Sequence, residues 1–327
     1  MPPPFSISVV QKYISWLKKS EGVTISDKIL IFFIKLVYIS LRFVLLALGR
    51  KRRSKIIEEQ ELDYGTLWNK FYYKFSGRNK KNDDSQLLKF KMPKYNYEFY
   101  CRKNKDDFQI MTFHEDELIE HNFTPREGDI VIDVGAHIGP YTLKASRHVG
   151  LNGKVIAIEA DPENFKLLKL NIQLNKLTNV IALNYAVYSK EDKIKLYLPS
   201  KEKEEESSPS YTKYNTIMTE RVDNEKKFVE VKANTLDYLL QSNGIKHEQV
   251  NWIKIDVEGA EYEVLKGSKD ILDKSNNISL LIEVHNLSSN INLYEPIKEF
   301  LNSYNFKIDF EKVESSGERH IIVHKHQ

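Results

Sequence analysis

The stretch from Asp129 to Thr142, DIVIDVGAHIGPYT, constrains the fold more than any other part of the chain. Ile130, Val131, Ile132 and Val134 make a short apolar run of the kind buried in a central parallel strand. Asp133 interrupts that run near its end, and Gly135 and Gly139 bracket Ala136, His137 and Ile138. Glycine lets the backbone turn sharply and approach a ligand with no Cβ in the way. The helix that follows offers free N–H groups and a positive dipole end. The pattern predicts a buried strand, a glycine turn and the start of a helix within Asp129 to Thr142. Such a unit delivers a carboxylate to the carboxyl edge of a sheet, where open α/β folds bind their ligands.

The spacing differs from the G-x-G-x-x-G of dinucleotide folds. A carboxylate two residues before the first glycine suits a ligand that carries an amino acid. S-adenosylmethionine has an ammonium for an acid to meet and a carboxylate for backbone N–H groups. The plainer alternative is a structural strand-turn-helix in which Asp133 is only a cap. Downstream the pattern becomes regular. KVIAIE, Lys154 to Glu159, is a second strand. Its final Glu159 stands about twenty residues past Gly139, where an acid meets ribose hydroxyls in such folds. Ala160 follows, and Asp161-Pro162 reads as an N-cap with proline at the first helical position. Asn164 to Asn175 is a helix with Phe165, Leu168 and Ile172 on one face, and Val180 to Tyr185 is a third strand. Ala186 and Val187 follow it, where an adenine would lie.

A second informative stretch is NWIKIDVEGAEYEVLKG, Asn251 to Gly267. Trp252, Ile253, Ile255 and Val257 make a buried strand with Asp256 and Glu258 at its carboxyl end, and Gly259 turns the chain into a helix ended by Gly267. Ile278 to Val284 is another strand, ending in Glu283, Val284 and His285. Two strand ends thus bring Asp256, Glu258, Glu283 and His285 toward the edge that carries Gly135. Acids and a histidine converging from three strand ends indicate a site. The bland alternative is a capping acid beside a packed histidine. Lys193 to Leu198 and Phe228 to Ala233 alternate like an antiparallel pair. The charged segment between them has no apolar periodicity and reads as a mobile loop, either a lid over an acceptor or a surface insertion.

In this order, DVGAHIGPYT, IEADP, TLD, IKIDVEGAEYEVLKG and IEVH resemble the FkbM family of S-adenosylmethionine-dependent methyltransferases. The resemblance runs from about Glu115 to the C-terminus. It implies the α/β class I methyltransferase fold: a seven-stranded, mostly parallel Rossmann-like sheet with helices on both faces and a reversed hairpin at the end. Tyr304 to Phe310 and His320 to His324 would supply that hairpin. His137 stands where the general methyltransferase motif has glycine, and His or Asn is common there in this family. The resemblance also implies transfer of a methyl group to a hydroxyl of a sugar, glycan, lipid-linked glycan or secondary metabolite. Asp133, Gly135, Ala136, His137, Gly139, Thr142, Glu159, Ala160 and Ala186 are then the cofactor-binding candidates. Asp256, His285 and Glu258 are the catalytic candidates. An alcohol is about as weak an acid as water, near 15.7, so a base must take its proton during attack. His285 suits that role by its free pKa and Asp256 by its place, and the choice stays open. With Glu258 and Glu283 they could instead hold a divalent metal. The resemblance requires none, so no metal is expected.

The length, 327 residues, allows one large domain with extensions or two domains. The expected division is a hydrophobic and basic helical extension over 1–60, an aromatic-rich region over 61–114 and the methyltransferase domain over 115–327. The net charge of +3 with mixed signs carries no global signature of nucleic-acid binding. The single cysteine, Cys101, excludes an internal disulfide and a cysteine-based zinc site.

Pro2 to Lys19 is weakly amphipathic, and Ser26 or Asp27 could cap the helix that follows. Ile29 to Leu48 is the most apolar segment, interrupted by Lys35 and Arg42. Its apolar residues gain about 7 kcal/mol in a bilayer and its two charges cost about 6, so insertion is near break-even. Lys35, Tyr38 and Arg42 share one helix stripe, which suits a helix lying in the membrane interface with its charges snorkelling. Arg50-Lys51-Arg52-Arg53 follows and would bind anionic lipid from the cytoplasmic side, placing the protein at the inner face of the cell membrane. A packed helix with a solvated basic linker is the alternative. Glu58 to Lys94 is polar and aromatic, Tyr95 to Ile110 reads as a hairpin, and His114 to His121 as a helix. Two rival functions remain: an NAD-dependent oxidoreductase on the same sheet, and a membrane-tethered S-adenosylmethionine-binding protein without catalysis.

Overall fold

The structure is a computed structural model that describes residues 21–22, 25–46, 87–92, 96–102, 122–198, 216–218, 227–288, 291–314 and 317–325, with a few single residues between 105 and 111. The chain divides into two compact units, Met1–His114 with Lys201–Tyr211, and Glu115–Ser200 with Thr212–Gln327.

The second unit is built on a seven-stranded sheet. Its strands are β1 Ile130–Val134, β2 Lys154–Ile158, β3 Val180–Leu183, β4 Val250–Ile255, β5 Ser279–Val284, β6 Phe306–Val313 and β7 Arg319–Lys325. They lie in the order β6-β7-β5-β4-β1-β2-β3. The pairs from β5 through β4, β1 and β2 to β3 are all parallel. β7 runs antiparallel to both β5 and β6, which makes the expected reversed hairpin.

Side-chain alternation decides which helices cover which face. Val131, Val155 and Trp252 point to the face covered by α1, Pro140–Val149, through Tyr141, Ala145 and Val149. Ala157, two residues on from Val155, packs on Leu168 and Ile172 of α2, Pro162–Leu174. Ile132, Val134, Ile156, Ile158, Ile253 and Ile255 point the other way. There they meet α3 Leu236–Ser242, α4 Glu261–Lys266, α5 Lys269–Lys274 and α6 Tyr294–Ser303. Both faces are therefore covered, as parallel strands require. Truncating a core residue such as Ile253 to alanine would cost about 2–5 kcal/mol. The chain leaves β1 toward β2 and later returns to place β4 on the other side of β1. The carboxyl ends of β1, β2, β4 and β5 thus surround a topological switch point. Beside them Asp192–Tyr197 pairs antiparallel with Phe228–Asn234, which pairs parallel with Ala186–Val187.

In the first unit, Leu87–Met92 pairs antiparallel with Tyr97–Arg102, and Glu21–Gly22 pairs with the former. This corrects the expected hairpin, which placed both strands within Tyr95 to Ile110. The upstream strand is LLKFKM, whose Leu88, Phe90 and Met92 are buried opposite Cys101, Phe99 and Tyr97. Its alternating lysines make it read as part of a polar region. A helix spans Ile25–Leu46, so Ser26 and Asp27 lie inside its first turn rather than before it. Lys35 is 0% exposed, on the same side as buried Ile31 and Ile34. Ile29, Phe32, Phe33, Leu36 and Val37 are exposed instead. The expectation that Lys35 lies on a solvent-facing polar stripe is therefore wrong: 3.6-residue periodicity puts the apolar stripe outside and the lysine inside. Among the described residues no helix is long and apolar enough to cross a membrane. Pro2 to Lys19, the 50–53 basic run, His114 to His121 and most of the charged loop lie outside the described residues.

Candidate active site

β1 ends in Asp133 and Val134, and the chain then turns through left-handed backbone at Gly135 (φ 77°), His137 (φ 50°) and Gly139 (φ 105°). A Cβ on Gly135 would lie 1.8 Å from the Asp256 carbonyl oxygen, so only glycine allows the turn to pass this close to the end of β4. His137 adopts a conformation that costs a non-glycine residue about 1–2 kcal/mol. Its N–H donates to Glu159 Oε2 at 2.7 Å, which helps hold it there. No side chain caps the first turn of α1, where Gly139 is the N-cap.

Asp133 is buried, and its Oδ2 accepts a 2.6 Å hydrogen bond from Thr142 Oγ1. Its Oδ1 has no hydrogen-bond partner, although Lys254 Nζ stands 3.6 Å away. Burial pushes the Asp133 carboxyl above its ordinary value, against the pull of Lys254. A buried carboxylate oxygen without a hydrogen bond fits a ligand ammonium. Thr142, expected to bind cofactor, is fully buried and donates its hydroxyl to Asp133.

Glu159 ends β2 as expected, but both its oxygens are engaged by backbone: Oε2 by His137 N–H, and Oε1 by Asp161 N–H at 2.9 Å. It braces the glycine turn, and its oxygens keep lone pairs to spare for a ribose hydroxyl. Burial raises its pKa to about 7. Asp161 is the N-cap of α2, accepting from Glu163 and Asn164 N–H. Asn184 holds the backbone beyond Glu159, donating to the carbonyls of Glu159 (2.8 Å) and Ala160 (3.0 Å). Ala136 is buried, and Ala186 packs in a small apolar cluster with Leu196, Val231 and Ala233, against which Ala160 rests.

β4 contributes Lys254, which the sequence reading did not single out. It is 4% exposed, and its ammonium donates to the Gly135 carbonyl at 3.0 Å and lies 3.2 Å from Asp256 Oδ2. Burial alone would lower its pKa; Asp256 and Asp133 outweigh that and raise it. Past β4, Glu258 has φ 54°, and its carbonyl accepts a 2.7 Å hydrogen bond from Thr216 Oγ1. That bond pins one described point of the charged loop beside the site.

His285 follows the end of β5 and is 3% exposed. Its Nδ1 meets Glu261 Oε1 at 2.8 Å, and the same oxygen accepts the Gly259 N–H at 2.9 Å. Its Nε2 faces Glu258 Oε2 at 3.5 Å, Glu283 Oε1 at 3.6 Å and Asp256 Oδ1 at 4.0 Å. Burial would lower the His285 pKa, but Glu258, Glu261 and Glu283 raise it well above its ordinary value. Beyond Glu283, His320 Nε2 lies 3.2 Å from Glu283 Oε2. The structure therefore brings Asp256, Glu258, Glu283 and His285 together, as the strand ends predicted. It adds Lys254 and Glu261, which the sequence reading missed. A lysine inside an otherwise apolar strand was the available signal, because a buried charge needs partners.

A family model for the methyltransferase FkbM domain matches residues 133–308, just over half of the chain. The hexuronic acid methyltransferase AglP of Haloferax volcanii is 30% identical over 159 residues, 49% of this chain and 57% of that protein. The tRNA (guanine(37)-N(1))-methyltransferase of Saccharomyces cerevisiae is 32% identical over 98 residues, 30% of this chain and 18% of that protein. The matches thus span less than two thirds of either relative. Among solved structures, the putative transferase PH0793 of Pyrococcus horikoshii aligns with a TM-score of 0.44 at 14% identity, covering 80% of this chain and 82% of that one. The matched region begins at Asp133 and takes in the glycine turn, the Asp256 strand end and the Glu283–His285 strand end, so the chain belongs to the FkbM family of S-adenosylmethionine-dependent methyltransferases.

Proposed function

We propose that this chain methylates a hydroxyl oxygen of a sugar or sugar-bearing acceptor. One observation carries the reading. Asp256 and His285 lie beside each other at the strand ends that continue the edge carrying Asp133, and Lys254 ties the two halves of that edge together. The similarity to a hexuronic acid methyltransferase supports a sugar acceptor.

S-adenosylmethionine supplies a methyl group already activated on a sulfonium. Asp133, Glu159 and the turn from Gly135 to Gly139 would hold it. The chain's remaining task is to place an oxygen and receive its proton. Glu258, Glu261 and Glu283 hold the His285 pKa above its ordinary value against the effect of burial, which favours the protonated imidazole and disfavours it as the base. Asp256 is then the group that receives the hydroxyl proton as the new O–C bond forms, while Lys254 steadies its other oxygen. Glu261 orients His285, and Glu258 stands 3.5 Å from its other ring nitrogen. The test is incubation with labelled methyl donor and fractionated cell extracts. Label in a carbohydrate ether supports the reading. Label in tRNA, or reduction of NAD without methyl transfer, overturns it.

We also infer that the Ile25–Leu46 helix docks on an anionic membrane surface. Its exposed stripe of Ile29, Phe32, Phe33, Leu36 and Val37 is apolar, and Arg50 to Arg53 follow in sequence. An apolar helix face with basic residues beside it is the pattern of interfacial anchors. The full chain should sediment with phosphatidylserine vesicles, and Phe32→Ser with Phe33→Ser should release it. Equal binding of wild type and variant would refute the docking.

A further inference from the structure

We propose that Asp256, Glu258 and His285 form a binding site for one divalent cation of the Mg²⁺ or Mn²⁺ type, which seats an anionic oxygen of the acceptor. The acceptor part rests on the methyl-transfer reading, while the cation site stands on its own geometry. It departs from the metal-free expectation of the sequence.

Ligand atoms of the three residues all lie within 4.8 Å of one another. His285 Nε2 stands 3.5 Å from Glu258 Oε2 and 4.0 Å from Asp256 Oδ1. Both distances exceed the roughly 2.7–3.2 Å of an N–H···O hydrogen bond. They match two donors that share an ion through bonds of about 2.0–2.2 Å, since such donors sit about 3 to 4.3 Å apart. The other ring nitrogen is committed. Nδ1 is held at 2.8 Å by Glu261, which is 0% exposed and fixed in turn by the Gly259 N–H. A carboxylate behind the imidazole leaves Nε2 as the ligand nitrogen and sets the ring plane, the usual support for a metal-bound histidine. On cation binding the Nε2 proton is displaced.

Charge points the same way. Asp256, Glu258, Glu261 and Glu283 crowd one imidazole. A uronate or other acidic sugar would be repelled by them, and a divalent cation turns that repulsion into attraction. The chemistry also needs help: a carboxylate is a weak base against a hydroxyl near 15.7, and metal coordination lowers the pKa of a bound oxygen acid by several units. With the cation in place Asp256 acts as its ligand instead of as the free base, and the coordinated hydroxyl gives its proton to water. Two carboxylates and one imidazole without thiolate suit Mn²⁺ or Mg²⁺.

The experiment is titration of the full-length protein with MnCl₂, reading free Mn²⁺ by electron paramagnetic resonance. One Mn²⁺ should bind and be displaced by excess Mg²⁺. Glu258→Gln and His285→Asn should each weaken binding at least tenfold, and Glu261→Gln about 10- to 100-fold. S-adenosylhomocysteine calorimetry on the same samples checks that the variants are folded. Absence of bound Mn²⁺ at millimolar concentration, or unchanged binding in Glu258→Gln and His285→Asn, overturns the site. Mn²⁺ binding in a protein that binds no S-adenosylhomocysteine would sustain the cation site while sinking the methyl-transfer reading.

Discussion

Lys254 Nζ lies 3.2 Å from Asp256 Oδ2, and these two residues, two apart at the end of β4, connect the two halves of the sheet edge. The same ammonium holds the Gly135 carbonyl and stands 3.6 Å from Asp133 Oδ1. Remove it, and two carboxylates remain in a buried setting with no cation between them. Breaking a buried ion pair from one side typically costs about 3–5 kcal/mol. Lys254→Met should therefore lose stability in urea unfolding by an amount of that order. A loss below about 1 kcal/mol, the range of surface pairs, would show that Lys254 is not the electrostatic centre of the edge.

Glu159 should make stability depend on pH in an unusual direction. Its pKa rises from 4.5 to about 7 on folding. Between those values the folded state holds a proton that the unfolded chain has lost. The linkage slope is then negative, so the Glu159 contribution is most favourable below 4.5 and falls as pH rises through about 7. Glu159→Gln lacks the titrating group. Urea unfolding at mildly acidic and mildly alkaline pH should show wild type losing stability relative to this variant as pH rises. A constant difference across that window would contradict the assignment.

Much of this edge was legible in the sequence because strand ends and glycine turns leave local marks. Asp133, Asp256, Glu283 and His285 all follow apolar runs, and a run buried on both faces has one place where polar side chains gather. The supporting residues were harder to see. Lys254 reads as one polar interruption in WIKID, and Glu261 as an acid suited to the first turn of a helix. Only the folded chain shows that both point at the site. Thr142 reads as a ligand contact because it stands near a ligand loop, and the folded chain adds that α1 turns its hydroxyl onto Asp133. Lys35 misled because a single helix pattern does not say which stripe is covered.

Turnover should separate the acceptor side from the cofactor side. Asp256→Asn should slow methyl transfer by about a hundredfold to ten-thousandfold, the range for a positioned acid–base group, and His285→Asn should slow it as well by removing the imidazole beside Asp256. Both should keep S-adenosylhomocysteine affinity within a few-fold of wild type. Wild-type rates in both variants on the true acceptor would mean that the catalytic edge lies elsewhere. Full activity in His285→Asn alone would leave Asp256 as the base and give His285 no part in the reaction.

The most direct measurement is calorimetric titration of wild type and Asp133→Asn with S-adenosylmethionine, S-adenosylhomocysteine and NAD. Losing a charge-assisted hydrogen bond costs about 1.5–3 kcal/mol, or roughly 10- to 150-fold in affinity. The account predicts that wild type binds both sulfur compounds but not NAD, and that Asp133→Asn, which preserves size, binds S-adenosylmethionine weaker by that factor. Binding of NAD in place of S-adenosylmethionine, or an Asp133→Asn variant as tight as wild type, would contradict it.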